Sequence, residues 1–163
     1  MITGVVPDSA LGAESFLDEE IEYLEFENLI ESVAERLDAS WSYSLEDETY
    51  QIEFIDEEGT LHEAVSVSSE FCEEGFNEGR DLLTCKVFLL EFDDSRVALL
   101  PDVLQLAQQL VFSKLCMNEN RHLFLVGKAL YHQEFVSDVV TTMVEEMSSL
   151  AADFRLKLEF QAK

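Results

Sequence analysis

Residues 134–160 read EFVSDVVTTMVEEMSSLAADFRLKLEF, and their spacing decides the fold. Apolar side chains fall at Val136, Val139, Val140, Met143, Val144, Met147, Leu150, Ala151, Phe154 and Leu158. Steps of three, one and four residues place them along one face of a helix. Neither Gly nor Pro interrupts the run. At 1.5 Å per residue the helix spans about 40 Å. So broad an apolar face is not stable in water alone, and the rest of the chain must supply a surface for it to lie on.

Working back towards the N-terminus, His122–Val126 and Lys128–His132 read as two short strands around Gly127, after a turn at Asn118–Asn120. Before them, Pro101 and Asp102 open a second helix over 102–117. Val103, Leu106, Leu110 and Met117 lie on one side of it, and Leu104, Ala107, Val111 and Leu115 on another. A helix apolar nearly all round is buried on more than one side, against the sheet and against another helix or a second copy of the chain. Residues 82–92, LLTCKVFLLEF, are apolar at both alternating sets and predict a central strand covered on both faces.

Residues 50–69 predict a hairpin turning at Glu57-Glu58-Gly59. Trp41, Tyr43 and Leu45 alternate just before it, as a separate short strand or an approach to the first. The acidic stretch 70–81, EFCEEGFNEGRD, reads as a loop whose Phe71 and Phe76 either dock on the core, the favoured reading, or belong to a contact surface. At the N-terminal end, Ser15 and Asp18 fit a capping box for a helix running to about Leu37. Phe26, Leu29, Ile30, Val33, Ala34 and Leu37 form its core face. Residues 1–13 read as a flexible leader and 14–163 as a single domain. The order is helix, three antiparallel strands, helix, two strands, long C-terminal helix, which makes the class α+β.

Composition narrows the function. Of 163 residues, 47% are hydrophobic, enough for a real core. The net charge is −25. Residues 1–81 carry 24 acids and two bases, whereas 82–163 carry 11 acids and eight bases. A chain with that balance disfavours nucleic acid and other phosphate-rich ligands, because it offers no basic patch for counterion release. Either the acids only solubilise the surface or the first half meets a basic or amphipathic protein. The N-terminus lacks the basic region of a signal peptide, and no apolar run approaches membrane-spanning length. Cys72, Cys85 and Cys116 are odd in number and widely spaced. They are expected to be reduced, in a cytoplasmic protein.

Catalytic chemistry has no support in the sequence. Glycine-rich phosphate loops and nucleophile elbows are missing. His62, His122, His132 and the three cysteines lack metal-ligand spacing, so no metal or cofactor is expected. Carboxylate neighbours in a chain with 35 acids arise by chance. The expectation is a protein that is not an enzyme.

The element order resembles the type III secretion chaperone fold, shared with the YbjN-like family. The likeness is best over Leu100–Leu158, where LLPDVLQLAQQLVF leads to RHLFLVGKALYH and then the closing helix. That resemblance implies non-enzymatic protein binding by a homodimer acting as chaperone or adaptor on a segment of a partner protein. By the same resemblance the second helix builds the dimer interface, here Leu104, Ala107, Val111 and Leu115. The first helix and sheet would offer apolar patches to the partner segment, with Phe54, Phe71 and Phe76 contributing. An alternative from another class is an acidic nucleic-acid mimic that inhibits a DNA-binding protein.

Overall fold

The computed structural model describes residues 25–161. The proposed leader, the Ser15–Asp18 capping box and the start of the first helix lie outside the described residues. Helix α1 occupies residues 25–36. Four strands follow as an antiparallel meander: β1 (Ser40–Ser44), β2 (Thr49–Ile55), β3 (Leu61–Phe71) and β4 (Asp81–Glu91). A 3-10 turn, Asp94–Leu99, leads into helix α2 (Leu100–Gln109). Then come β5 (Lys114–Met117), β6 (His122–Leu130) and helix α3 (Val136–Gln161). The strands form one six-stranded antiparallel sheet in the order β1-β2-β3-β4-β6-β5. The fold is α+β.

The period-two pattern of the strands sorts the sheet into two unlike faces. Tyr50, Ile52, Val65, Val67, Leu83, Cys85, Val87, Leu89, Leu123 and Leu125 are buried on one face. All three described helices pack there. Helix α3 lays Val140, Met143, Val144, Met147, Ala151 and Phe154 into the core and runs across β3, β4 and β6. Helix α1 adds Leu29, Ile30, Val33 and Ala34, and α2 adds Val103 and Leu106. Arg36 ties α1 to α3 through Asp138 at 2.7 Å and the Ser137 hydroxyl at 3.2 Å. Near the β1 edge, Phe26, Tyr50, Trp41 and Tyr43 pack as tilted rings with centroids 4.9–5.9 Å apart.

One charged side chain, Glu63 of β3, is buried in this core. The Arg155 guanidinium of α3 meets the Glu63 carboxylate of β3 with two of its nitrogens, Nε to Oε2 at 2.9 Å and Nη2 to Oε1 at 3.0 Å. It also donates to the carbonyl of Leu89 at 3.0 Å and to that of Phe88. Those carbonyls flank the bulge where the β4–β6 register shifts between Phe88 and Leu90. A bulge takes carbonyls out of the ladder, and Arg155 supplies their donors.

The structure corrects the reading of the sequence in four places. First, the second helix ends at Gln109, and Leu110 is already extended with ψ 127°. Residues 114–117 are strand. Second, Gly127 is not a turn but lies inside one continuous strand, β6. The hairpin partner of that strand is β5, and the chain turns at Asn118–Arg121. There the Asn118 side chain accepts from the N–H groups of Asn120 and His122. Third, β4 is covered on one face only, because every described helix sits on the same side; Lys86 and Phe88 are exposed. Fourth, Phe71 and Phe76 do not dock. They are 58% and 94% exposed.

The three cysteines are free. Cys85 is completely buried beneath α3, and burial pushes the pKa of its thiol up to about 12. Cys72 and Cys116 are half-buried. An aromatic disulfide reagent at neutral pH is therefore expected to titrate Cys72 and Cys116 in the native protein and to reach Cys85 only after denaturant is added. Fast modification of all three thiols without denaturant would show that the sheet–α3 core opens readily.

Candidate protein-binding surfaces

The first surface is the edge formed by α2 and β5. Pro101 starts α2 with a pre-set φ. Val103 and Leu106 turn inward and anchor the helix. Leu100 and Leu104 then fall on its outer side. Across from them, Leu115 and Met117 of β5 lie opposite Leu125 and Leu123 of β6, on the core side of the sheet. The result is an apolar groove lined by Phe92, Leu100, Leu104, Leu115 and Met117, with Val103 and Leu123 at its floor. Leu104 is 55% exposed, and Leu100 and Met117 are exposed as well. Strand β5 is the last of the sheet, so its outer backbone edge has no strand partner among the described residues.

The connection from α2 to β5 is held by one carboxylate. Glu146, projecting from α3, accepts the N–H groups of Val111 at 2.9 Å, Phe112 at 3.1 Å and Ser113 at 3.1 Å, and the Ser113 hydroxyl at 2.7 Å. Three consecutive amides aimed at one anion make a small backbone nest. Partial burial works to raise the pKa of Glu146. The bonds from Ser113, Val111 and Phe112 outweigh that effect and leave it below its ordinary value of 4.5. A carboxyl depressed on folding stabilises the native state fully above its unfolded value and loses that contribution as pH falls through the folded one. Glu146→Gln is thus expected to cost about 1–2 kcal/mol near neutrality. The difference from wild type should shrink progressively below pH 4.5. Urea titrations at both ends of that range check it, and a pH-independent difference would refute the nest.

Against this geometry the sequence-derived interface set divides. Leu104 and Leu115 line the same groove, although they come from a helix and a strand rather than one helical face. Ala107 is half-buried on α2. Val111 is 77% exposed in the Glu146-held turn beyond the end of the helix. Leu100, Phe112 and Met117 join the exposed apolar edge but were not singled out from the sequence. The alternation of Leu115 and Met117 against Lys114 and Cys116 was the available signal.

The three phenylalanines given to the partner contact lie on different parts of the sheet. Phe54 is half-buried on β2, opposite Glu63 of β3. Phe71 ends β3 eight residues later, roughly 26 Å along the strand. Phe76 stands at the tip of the 72–80 loop, near the Phe71 end.

The second surface is the sheet face that carries no described helix. Ser42, Gln51, Ser66, Lys86, Val126 and Lys114 line up across it, strand by strand. In the neighbouring row Phe88 stands opposite Phe124, with ring centroids 5.6 Å apart. The Lys86 ammonium lies 3.9 Å from the centre of the Phe124 ring. His62 and His132 are bonded to Asp56 and Asp81 instead. Among the described residues no group of three His, Cys, Asp or Glu side chains is placed to hold a metal ion. No described helix is long and apolar enough to cross a membrane.

No protein-family model matches the chain, and none of the curated proteins compared with it matches. Among solved structures, the chain is similar to the crystal structure of YbjN from E. coli. The match has 11% sequence identity and a TM-score of 0.44, and covers 80% of this chain and 88% of that one.

Proposed function

We propose that this chain is a non-enzymatic protein-binding chaperone or adaptor of the cytoplasm that works as a homodimer, with the α2–β5 edge as the dimer contact. The observation that carries this reading is the exposed apolar groove of Leu100, Leu104, Leu115 and Met117 beside an edge strand. In a chain of net charge −25, apolar side chains gathered at one edge favour a covering partner. A second copy meets the requirement because β5 can pair with its own equivalent across a two-fold axis while the two grooves close. The partner protein then binds elsewhere on the dimer. The exposed Phe71 supports such a contact. The free thiols support a reducing compartment. A likeness of duty to the secretion chaperones belongs to this same proposal.

Light scattering on the purified chain tests it. At micromolar concentration in about 0.5 M salt the mass is expected to be twice the 18.6 kDa of one chain. In the same salt Leu104→Asp should return it to the monomer without loss of helix content, since that side chain is exposed. Val111→Asp acts on the same edge but also sets a second carboxylate beside Glu146, so Leu104 is the cleaner probe. A wild-type protein that remains monomeric overturns the reading.

A further inference from the structure

The lysines of this protein are not spread evenly. Lys86, Lys114 and Lys128 all stand on the open face of the sheet. Lys86 and Lys114 flank Val126 in one row, roughly 10 Å apart across two strand spacings. Lys128 pairs with Thr84, one step along from Lys86. In a chain with 35 acids, none of the three makes an ion pair with another described residue. The Thr84 hydroxyl beside Lys128 is buried without a hydrogen-bond partner among the described residues. Phe88, 46% exposed, adds an apolar element to the same face.

The complementary shape is also present in the molecule. Residues 70–78, EFCEEGFNE, carry four glutamates and two exposed phenylalanines. Backbone bonds hold this segment as an ordered projection: Cys72 N–H to Arg80 carbonyl at 2.9 Å and Gly79 N–H to Cys72 carbonyl at 2.8 Å. Gly75 and Gly79 take the positive φ its turns need, 87° and 78°. Phe76 is therefore held away from its own sheet rather than folded onto it.

We infer that the lysine-bearing sheet face docks the acidic 70–78 loop of a second copy of this chain. The ammonium groups take the loop glutamates, and Phe76 covers Phe88. A single-stranded nucleic acid fits less well. The Phe124 ring is already capped by Lys86, so it offers no stacking platform. This contact uses the sheet face opposite the α2–β5 groove, with Lys114 of β5 at its border, and it forms without the dimer contact.

Sedimentation velocity on the full chain carrying Leu104→Asp tests the contact with the other edge removed. Association is expected in about 20 mM salt and should be lost in about 0.5 M salt. Phe76→Ser should weaken it about tenfold or more. A face variant (Lys86→Glu, Lys114→Glu, Lys128→Glu) and a loop variant (Glu70→Lys, Glu73→Lys, Glu74→Lys) should each fail to self-associate. Mixed together they should associate, because each supplies the charge the other has inverted. A parent that stays monomeric at low salt, variants that associate like the parent, or a mixture that stays monomeric would each overturn the inference. Failure of the dimer reading would instead appear as a Leu104→Asp substitution with no effect at high salt, so the two failures are distinguishable.

Discussion

Arg155→Met is expected to destabilise the native state by about 3–5 kcal/mol, read from urea denaturation near neutral pH. The Glu63 side chain is only 5% exposed, and Arg155 supplies both of its charge-assisted bonds. Removing the guanidinium leaves a buried carboxylate with no counter-charge, which costs far more than the pair itself gained. The same substitution strips the donor from the Leu89 and Phe88 carbonyls at the β4 bulge. Two unlike consequences then coincide: Glu63 must bind a proton or draw in water, and the bulge loosens. Combining Glu63→Leu with Arg155→Met should recover part of the loss, because an apolar pair is tolerated where a lone charge is not. A single variant within about 1 kcal/mol of wild type would show that the pair behaves like an ordinary surface ion pair.

Gly127→Val should cost about 3 kcal/mol, seen as a lowered unfolding midpoint with an unchanged circular-dichroism spectrum in the cold. A Cβ at position 127 would stand 2.2 Å from the Met143 sulfur and 2.6 Å from its Cγ. Met143 is itself buried in the core, so it has little room to swing away. Gly127→Ala is the milder probe, since a thioether chain adapts to one added methyl more readily than to a branched side chain. Combined with Met143→Ala it should regain part of its stability, because the second substitution vacates the space the first one fills. Full stability of the valine variant would mean that α3 rides higher on the sheet than its packing indicates.

These two positions also mark how far the sequence could be read. The α3 spacing was legible because one uninterrupted helical period ran over more than twenty residues, and Val140 to Phe154 are buried as it implied. The β2–β3 hairpin was legible from Gly59, which takes φ 82°. Residues 110–117 were not. Their apolar content suits a helix or a strand equally, and the choice is made by Glu146, 33 residues beyond Ser113 in the chain. Gly127 read as a turn because glycine punctuates turns. Here its missing side chain serves the approach of α3 instead, a long-range cause that local pattern does not carry. The strand at 82–92 looked covered on both faces because Leu82, Phe88 and Leu90 are apolar. The face without a described helix emerges only from seeing all three described helices on the other side.

The candidate surfaces were partly legible for the same reasons. Leu104 and Leu115 were singled out by an apolar pattern that assumed one helix, and a strand–helix groove brings them together by another route. Phe54, Phe71 and Phe76 were grouped by residue type, and the register of β2 on β3 sets Phe54 far from the other two. The lysine-bearing face escaped notice because its members are separated by 28 and 14 residues in sequence and become neighbours only through the β4–β6–β5 pairing.

The strand order has a kinetic consequence. The loop between β1 and β2 joins Ser44 to Thr49, whereas pairing Glu91 with His122 closes a loop over residues 92–121. Loop-closure entropy rises only with the logarithm of length, so the longer excursion costs about 2 kcal/mol more at its first contact. That difference is small beside the search it imposes. Strand β6 must arrive beside β4 with α2 and β5 already swung clear to its far side. The local β1–β4 meander can zip as soon as it is synthesised, but the sheet acquires its full width only when the last third of the chain is available.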